Sequence, residues 1–209
     1  MTTIIGYQGD GFAVIGADTR ISSFDDSGSA YQITTLGSGS TKIASNGKYL
    51  LGAAGDMRAI NILHHVFQPP AITPGLKGKK LDEFITVKFI PALRSCFDSH
   101  GYSPPAGKDN EHLAEQGSSI VVVVNSTIYV VETDYSWTSD IFGVYATGSG
   151  SAYALGAMQA LCIGKKALTP QQAKAAINKA LQIASKFDPY TGSPFNFYTQ
   201  EHLKKAVAP

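Results

Sequence analysis

Thr2, Asp18, Lys42 and Gly55 are the residues of this sequence whose types and positions could assemble nucleophilic chemistry on an amide. A threonine hydroxyl is a poor nucleophile at neutral pH. A threonine at the head of a chain brings its own base, because a free α-amino group has a pKa of about 8 and is partly neutral. Met1 precedes Thr2, and removal of an initiator Met before a small residue would expose that amine. Asp18 stands in Gly16-Ala17-Asp18-Thr19-Arg20, where a carboxylate could orient the amine or a lysine. Lys42, in Ser40-Thr41-Lys42-Ile43, would favour an ionised hydroxyl and stabilise developing negative charge. Gly55, in Ala53-Ala54-Gly55-Asp56, offers a backbone N–H at the positive end of a following helix as an oxyanion donor.

These groups act together only if the fold gathers them. Residues 2–7 and 12–17 read as strands joined by Gln8-Gly9-Asp10-Gly11, a hairpin that returns Asp18 to the chain start. Residues 42–45 and 49–54 flank Asn46-Gly47, a strong type I′ turn signal, and carry Lys42 and Gly55 at their ends. The Ser-, Gly- and Thr-rich stretch 22–41 reads as a flexible loop. After Gly55 the period becomes helical, with Met57, Ile60, Leu63 and Phe67, then Leu81, Phe84, Ile85 and Phe89, and with Pro91 as a kink. Residues 102–117 read as a polar surface loop inserted in one domain spanning 1–209.

A second strand block covers 119–124, 127–132 and 141–147, the first two joined at Asn125-Ser126. Two helices follow, at 150–163 and from Thr169 on. The latter opens with a capping box, Thr169 and Gln172 around Pro170. Residues 195–199 read as a last strand. Strand and helix blocks segregated in this way predict an α+β fold: two stacked antiparallel β-sheets flanked by helices, a four-layer αββα sandwich. In that arrangement Ala44, Ala53 and Met57 would border the cleft beside Lys42 and Gly55, an uncharged substrate-binding pocket for apolar side chains. The stripe Leu81, Phe84, Ile85, Phe89, Ile90, Leu93 and Phe97 reads as more apolar surface than one chain covers. It predicts contacts with identical subunits through this segment or the helix at 57–67.

Composition narrows the classes. Apolar residues at 44% and charged residues at 16% fit a folded chain, and a net charge of +1 predicts no nucleic acid and no anionic membrane as partner. There is no apolar run of about 18 residues and no signal-peptide pattern, so the expected location is cytoplasmic. Cys96 and Cys162 do not make a disulfide framework. His64 and His65 would point about 100° apart on a helix, poor geometry for one metal. Gly148-Ser149-Gly150 lacks the remainder of either nucleotide-binding signature. No cofactor and no metal is therefore expected.

Taken in order, Thr2-Thr3-Ile4-Ile5-Gly6, Asp18, Lys42-Ile43 and Ala54-Gly55-Asp56 resemble the proteasome β-subunit family with its bacterial HslV branch, the N-terminal-nucleophile (Ntn) hydrolases that use threonine. Ala146-Thr147-Gly148-Ser149-Gly150-Ser151 resembles that family's strand–Gly-Ser-Gly–helix segment. Asp188 with Thr191-Gly192 resembles its Asp and Ser-Gly pair after the last long helix. The resemblance implies the Ntn-hydrolase fold and a threonine peptidase acting on unfolded polypeptide inside a ring of identical subunits, with an ATP-dependent unfoldase as a partner. It implies that Thr2 is the nucleophile and its amine the base. Lys42 and Asp18 tune the pair, Gly55 supplies the oxyanion N–H, and Ser149, Asp188 and Thr191 hold the amine. The same residue types would serve a small-molecule amidase, and the same fold without a free Thr2 amine would be a non-catalytic shell subunit. The stretch before Lys42 is longer than the family's usual one, so Lys42 is assigned from the residues that follow it.

Overall fold

The computed structural model describes residues 2–25, 30–37, 39–102, 117–162 and 167–201. Strands β1 (Thr3–Gly9) and β2 (Phe12–Asp18) form the first hairpin. A two-stranded ribbon follows, β3 (Arg20–Phe24) against β4 (Ala30–Thr35). Next come β5 (Ile43–Asn46), β6 (Tyr49–Ala54) and helix α1 (Met57–His65). Helix α2 (Lys79–Phe84) runs through a π-helical segment (Ile85–Phe89) into α3 (Ile90–Ser99). The second strand block is β7 (Ser119–Val124), β8 (Thr127–Val131), β9 (Trp137–Thr138) and β10 (Val144–Gly148). Helices α4 (Ser151–Cys162) and α5 (Pro170–Phe187) precede the closing strand β11 (Phe195–Glu201).

One sheet has the order β10-β1-β2-β11 and the other β5-β6-β7-β8-β9, each paired antiparallel throughout. Because both faces of each sheet are covered, neighbouring positions on one strand are buried in opposite directions. Ile4 packs between the sheets with Ile15, Ile43, Val121 and Val123. Ile5 packs with Met158, Ile177 and Leu181 of α4 and α5. On the far side, Leu51, Val122 and Tyr129 pack with Leu63 of α1, Leu81 of α2 and Leu93 of α3. Four layers, helix–sheet–sheet–helix, result. Among the described residues no helix is long and apolar enough to cross a membrane.

Three expectations change. Residues 22–41 are not a plain loop, because β3 and β4 pair across Ile21↔Thr34 and Ser22↔Ile33, and Leu36 N–H closes the ribbon on the Thr19 carbonyl at 2.9 Å. The ribbon joins neither sheet. Its β-formers, Ile21, Ile33, Thr34 and Thr35, are interleaved with serine and glutamine, which hides the period-two signal. The strand expected at 141–147 starts later. Ile141 and Phe142 stand exposed, at 91% and 74%, on a turn whose Phe142 and Val144 N–H groups donate to Asp140.

The apolar stripe of α2 and α3 is also internal. Leu81, Ile85, Phe89, Leu93 and Phe97 are fully buried in the chain's own core, with Phe84 and Ile90 packed against the same cluster. The stripe itself is therefore core, and the exposed large apolar side chain of this segment is Val87, which lies between its members. Further exposed apolar side chains lie on α4 and α5, where Tyr153 stacks on Phe187 at 5.6 Å between ring centroids. The 102–117 loop falls mainly outside the described residues; at its edges Tyr102 is buried and Gly117 exposed.

Candidate active site

Strand register brings the distant residues to one end of the first sheet. Pairing of Thr3 with Gly148 sets Thr2 beside Ser149, and pairing of Ile4 with Ala17 sets Thr3 beside Asp18. Pairing of Asp18 with Phe195 delivers the segment between α5 and β11 to the same place. Lys42, just before β5, reaches across from the second sheet.

Asp18 is the hub. Its Oδ1 accepts from the Lys42 ammonium at 2.7 Å and from the Thr3 backbone N–H at 2.9 Å. Its Oδ2 accepts from the backbone N–H groups of Arg20 and Gly192, each at 3.1 Å. Both charged side chains of the Lys42–Asp18 pair are 0% exposed. The Lys42 ammonium also donates to the Arg20 carbonyl at 2.6 Å. Burial pulls the Lys42 pKa below its ordinary value, with the attraction of Asp18 opposing. A lysine so placed gives up a proton more readily than one in water.

A second carboxylate organises the other side. Asp188, at the C-terminal end of α5, accepts through Oδ2 from Ser149 Oγ at 2.7 Å and Thr191 Oγ1 at 2.6 Å. Thr191 Oγ1 in turn meets Thr3 Oγ1 at 2.5 Å, and Ser149 Oγ lies 3.4 Å from the Thr2 carbonyl. The chain start is thereby held between two buried acids. Gly150 is needed for this closeness: a Cβ there would come 2.2 Å from Thr3 Oγ1 and 3.0 Å from Asp188.

Gly148 is constrained twice. Its φ is +95°, and a Cβ would lie 1.9 Å from the Thr2 carbonyl oxygen. The backbone cannot move away without giving up the β1–β10 ladder. Gly148→Ala is therefore expected to displace the head of β1, lowering the melting temperature and removing hydrolysis although no reacting group changes. Thermal denaturation and peptide turnover measured on one preparation check this.

Gly55 caps the far end of β6, with φ at +145° and no room for a side chain: a Cβ would meet Gly117 O and Ser118 Oγ at 2.5 Å. A Cβ added to Gly148 would lie 3.4 Å from that of Ala54, so the ends of β6 and β10 adjoin. Asp56 caps α1 by accepting from Arg58 N–H at 2.9 Å, and the N-terminal dipole of the helix opens toward this corner.

The geometry gathers Thr2, Asp18, Lys42, Ser149, Asp188 and Thr191, with Gly55 on the adjoining strand end. The proposed pocket residues divide. Ala44 and Ala53 are buried in the core beneath the helices, and only Met57, in the first turn of α1, keeps surface. Thr3, Arg20 and Gly192 belong to the constellation and are not legible as site residues, because they contribute backbone groups or bonds fixed by register. The Thr2-Thr3 doublet is the one signal for Thr3. His64 bonds through Nε2 to the Thr41 carbonyl at 2.7 Å, while Thr41 Oγ1 meets the Tyr198 hydroxyl at 2.9 Å. The residue before Lys42 is thus tied to α1 and to β11.

Comparison with known proteins bears on the family and the fold. A family model described as proteasome subunit matches residues 117–199. The ATP-dependent protease subunit HslV of a Nitratiruptor species is 30% identical over 207 residues, covering 96% of this chain and 97% of that protein. The ATP-dependent protease subunit HslV of a Sulfurovum species is 30% identical over 167 residues, covering 77% and 78%. Among solved structures, Thiobacillus denitrificans BPH in complex with epoxomicin superposes with a TM-score of 0.72 at 22% identity, covering 97% of this chain and 100% of that one. Eukaryotic HslV from Trypanosoma brucei superposes with a TM-score of 0.61 at 17% identity, covering 96% and 100%. The likeness to these two structures is one of fold, the stacked-sheet Ntn-hydrolase sandwich. Near-complete coverage at 30% identity settles the family: the chain belongs to the proteasome β-subunit and HslV family.

Proposed function

We propose that this chain is a threonine peptidase whose nucleophile is Thr2, active once its α-amine is free. The observation that carries the reading is the Asp18 carboxylate bonded at once to the buried Lys42 ammonium and to the N–H of Thr3, one residue from the hydroxyl. The free amine of Thr2 accepts the hydroxyl proton as Oγ1 attacks the scissile carbonyl. Lys42 lowers the cost of negative charge on that oxygen, with Asp18 holding the ammonium in place. The Gly55 N–H, at the positive end of α1, receives the oxyanion. The protonated amine then gives its proton to the leaving nitrogen, and water hydrolyses the resulting ester. Ser149, Asp188 and Thr191 hold the amine, and Met57 borders the pocket for the side chain before the cut bond.

The substrate is polypeptide, and the working form is a cytoplasmic ring of identical chains with an ATP-dependent unfoldase. The names of the HslV relatives, ATP-dependent protease subunits, support that setting. The test combines N-terminal sequencing, sedimentation and fluorogenic peptides with apolar residues before the cut. Processed protein beginning at Thr2 is expected to sediment as one ring-sized species and to cleave the peptides. A stable monomer of 22.1 kDa, or no cleavage by protein with a free Thr2, would overturn the proposal.

A further inference from the structure

The backbone just beyond Gly55 is held from outside its own strand. The β6–β7 ladder ends at Ala54↔Ser119, so strand pairing does not fix Gly55 or Asp56. Instead the Asp56 N–H donates to Ser118 Oγ at 2.9 Å. Ser118 Oγ also lies 2.7 Å from the hydroxyl of Tyr102, and both side chains are buried. A Cβ added to Gly117 would sit 3.2 Å from the Tyr102 hydroxyl, so the tyrosine packs close against the backbone that precedes Ser118. Burial raises the Tyr102 pKa above its ordinary value, so the hydroxyl keeps its proton and can donate.

We infer that Ser118, anchored by Tyr102, is a positioning residue that aims the oxyanion donor by tying down the N–H next to Gly55. This rests on the reading of Gly55 as that donor. The Gly55 and Asp56 N–H groups belong to consecutive peptide planes, and a shared oxyanion site tolerates little rotation of either. With the Asp56 N–H bonded to Ser118, the Gly55 N–H is the one left to face the cleft. Loss of the tether lets the Gly55–Asp56 plane turn, and a shift near 1 Å at a reacting centre can cost up to about 10²-fold in rate.

The test uses processed, assembled protein carrying Ser118→Ala, Tyr102→Phe or both. Each single variant is expected to lower kcat for a peptide amide with KM little changed. The double variant should be no worse than Ser118→Ala alone, since the two side chains act through one bond network. A peptide β-lactone, whose attack builds an oxyanion, should acylate Thr2 more slowly in the variants. A peptide vinyl sulfone, whose conjugate addition places charge elsewhere, should label Thr2 at the wild-type rate. Exchange of the Asp56 amide should quicken. Equal slowing of both reagents, or wild-type kcat in Ser118→Ala, would overturn the inference. If Ser118→Ala does not fold, Tyr102→Phe, which removes one oxygen, carries the same comparison. Wild-type protein that reacts with neither reagent would instead sink the reading of Thr2 itself.

Discussion

Thr2→Ala, in protein processed to expose residue 2, is expected to abolish peptide hydrolysis and leave the fold and assembly unchanged. The nucleophile is the one group that no neighbour replaces. Thr191 and Thr3 hydroxyls are bonded to each other, and Ser149 Oγ is committed to Asp188. Removing a nucleophile of this kind costs on the order of 10⁶ in kcat. Structure should survive because the bond that Thr2 makes to Ser149 runs through its carbonyl, and β1 pairing begins at Thr3. Thr2→Ser keeps a hydroxyl beside the amine and should retain measurable turnover. The measurement is peptide turnover with sedimentation as control. An assembled Ala variant with wild-type turnover would remove Thr2 from the mechanism.

Lys42→Ala should be the next most damaging change, and it should damage two things. Losing an electrostatic donor at a developing charge costs about 2.7–4 kcal/mol of transition-state stabilisation, about 10²–10³ in rate. The sequence alone suggests a purely catalytic lysine, but the structure buries it against Asp18 with both side chains at 0% exposure. Removing one partner of a buried ion pair strands the other charge and typically costs about 3–5 kcal/mol of stability. Lys42→Arg should also fail, because a wider guanidinium must enter a filled slot. Linkage gives a further check. A lysine whose folded pKa lies below 10.5 binds fewer protons folded than unfolded in the interval between the two values. Stability contributed by Lys42 is therefore gained as pH rises through that interval and lost as pH falls through the folded value. Denaturant titrations of wild type and Lys42→Met across the alkaline range should diverge in that direction. Parallel curves would place the lysine in an ordinary, solvated setting.

The legible parts were those written in local chemistry. Asn125-Ser126 turns between β7 and β8 with both residues at positive φ, and the Thr169–Gln172 capping box opens α5 with both reciprocal bonds formed. Between β5 and β6 the turn falls one residue later than expected, at Gly47-Lys48, because Asn46 pairs with Tyr49. Asp18 and Lys42 stand out by their charge at strand ends and Asp188 by the family resemblance alone, and each is bonded in the structure. What stayed hidden depends on register and on backbone groups. The Gly192 N–H reaches Asp18 across most of the chain, which no side-chain identity announces. Ser118 looks like any serine at a strand edge until Asp56 and Tyr102 are seen on its oxygen. The β3–β4 ribbon joins neither stacked sheet, so hydrophobic alternation did not mark it. Position along the strand suggests a cleft for Ala44 and Ala53, and both are buried in the core under α1.

The π-helical segment at Ile85–Phe89 makes the long helix a counting device. Leu81, Ile85, Phe89, Leu93 and Phe97 recur at every fourth residue, and all five are fully buried. In an unbroken α-helix a side chain at every fourth position drifts about 40° per step, so by the fifth the stripe would have wound well round the cylinder. Bonds of the i→i+5 kind, such as Ile90 N–H to the Ile85 carbonyl, put more residues into a turn and take back part of that drift. The stripe stays straight because of the length of the segment and not its composition. Forcing this segment into ordinary α winding at unchanged length would swing the second half of the stripe by about 100°. Phe97, whose ring stands 4.8 Å from that of Tyr102, would leave its seat. A change of winding in the helical layer would thus be felt at the tyrosine that leans on Ser118.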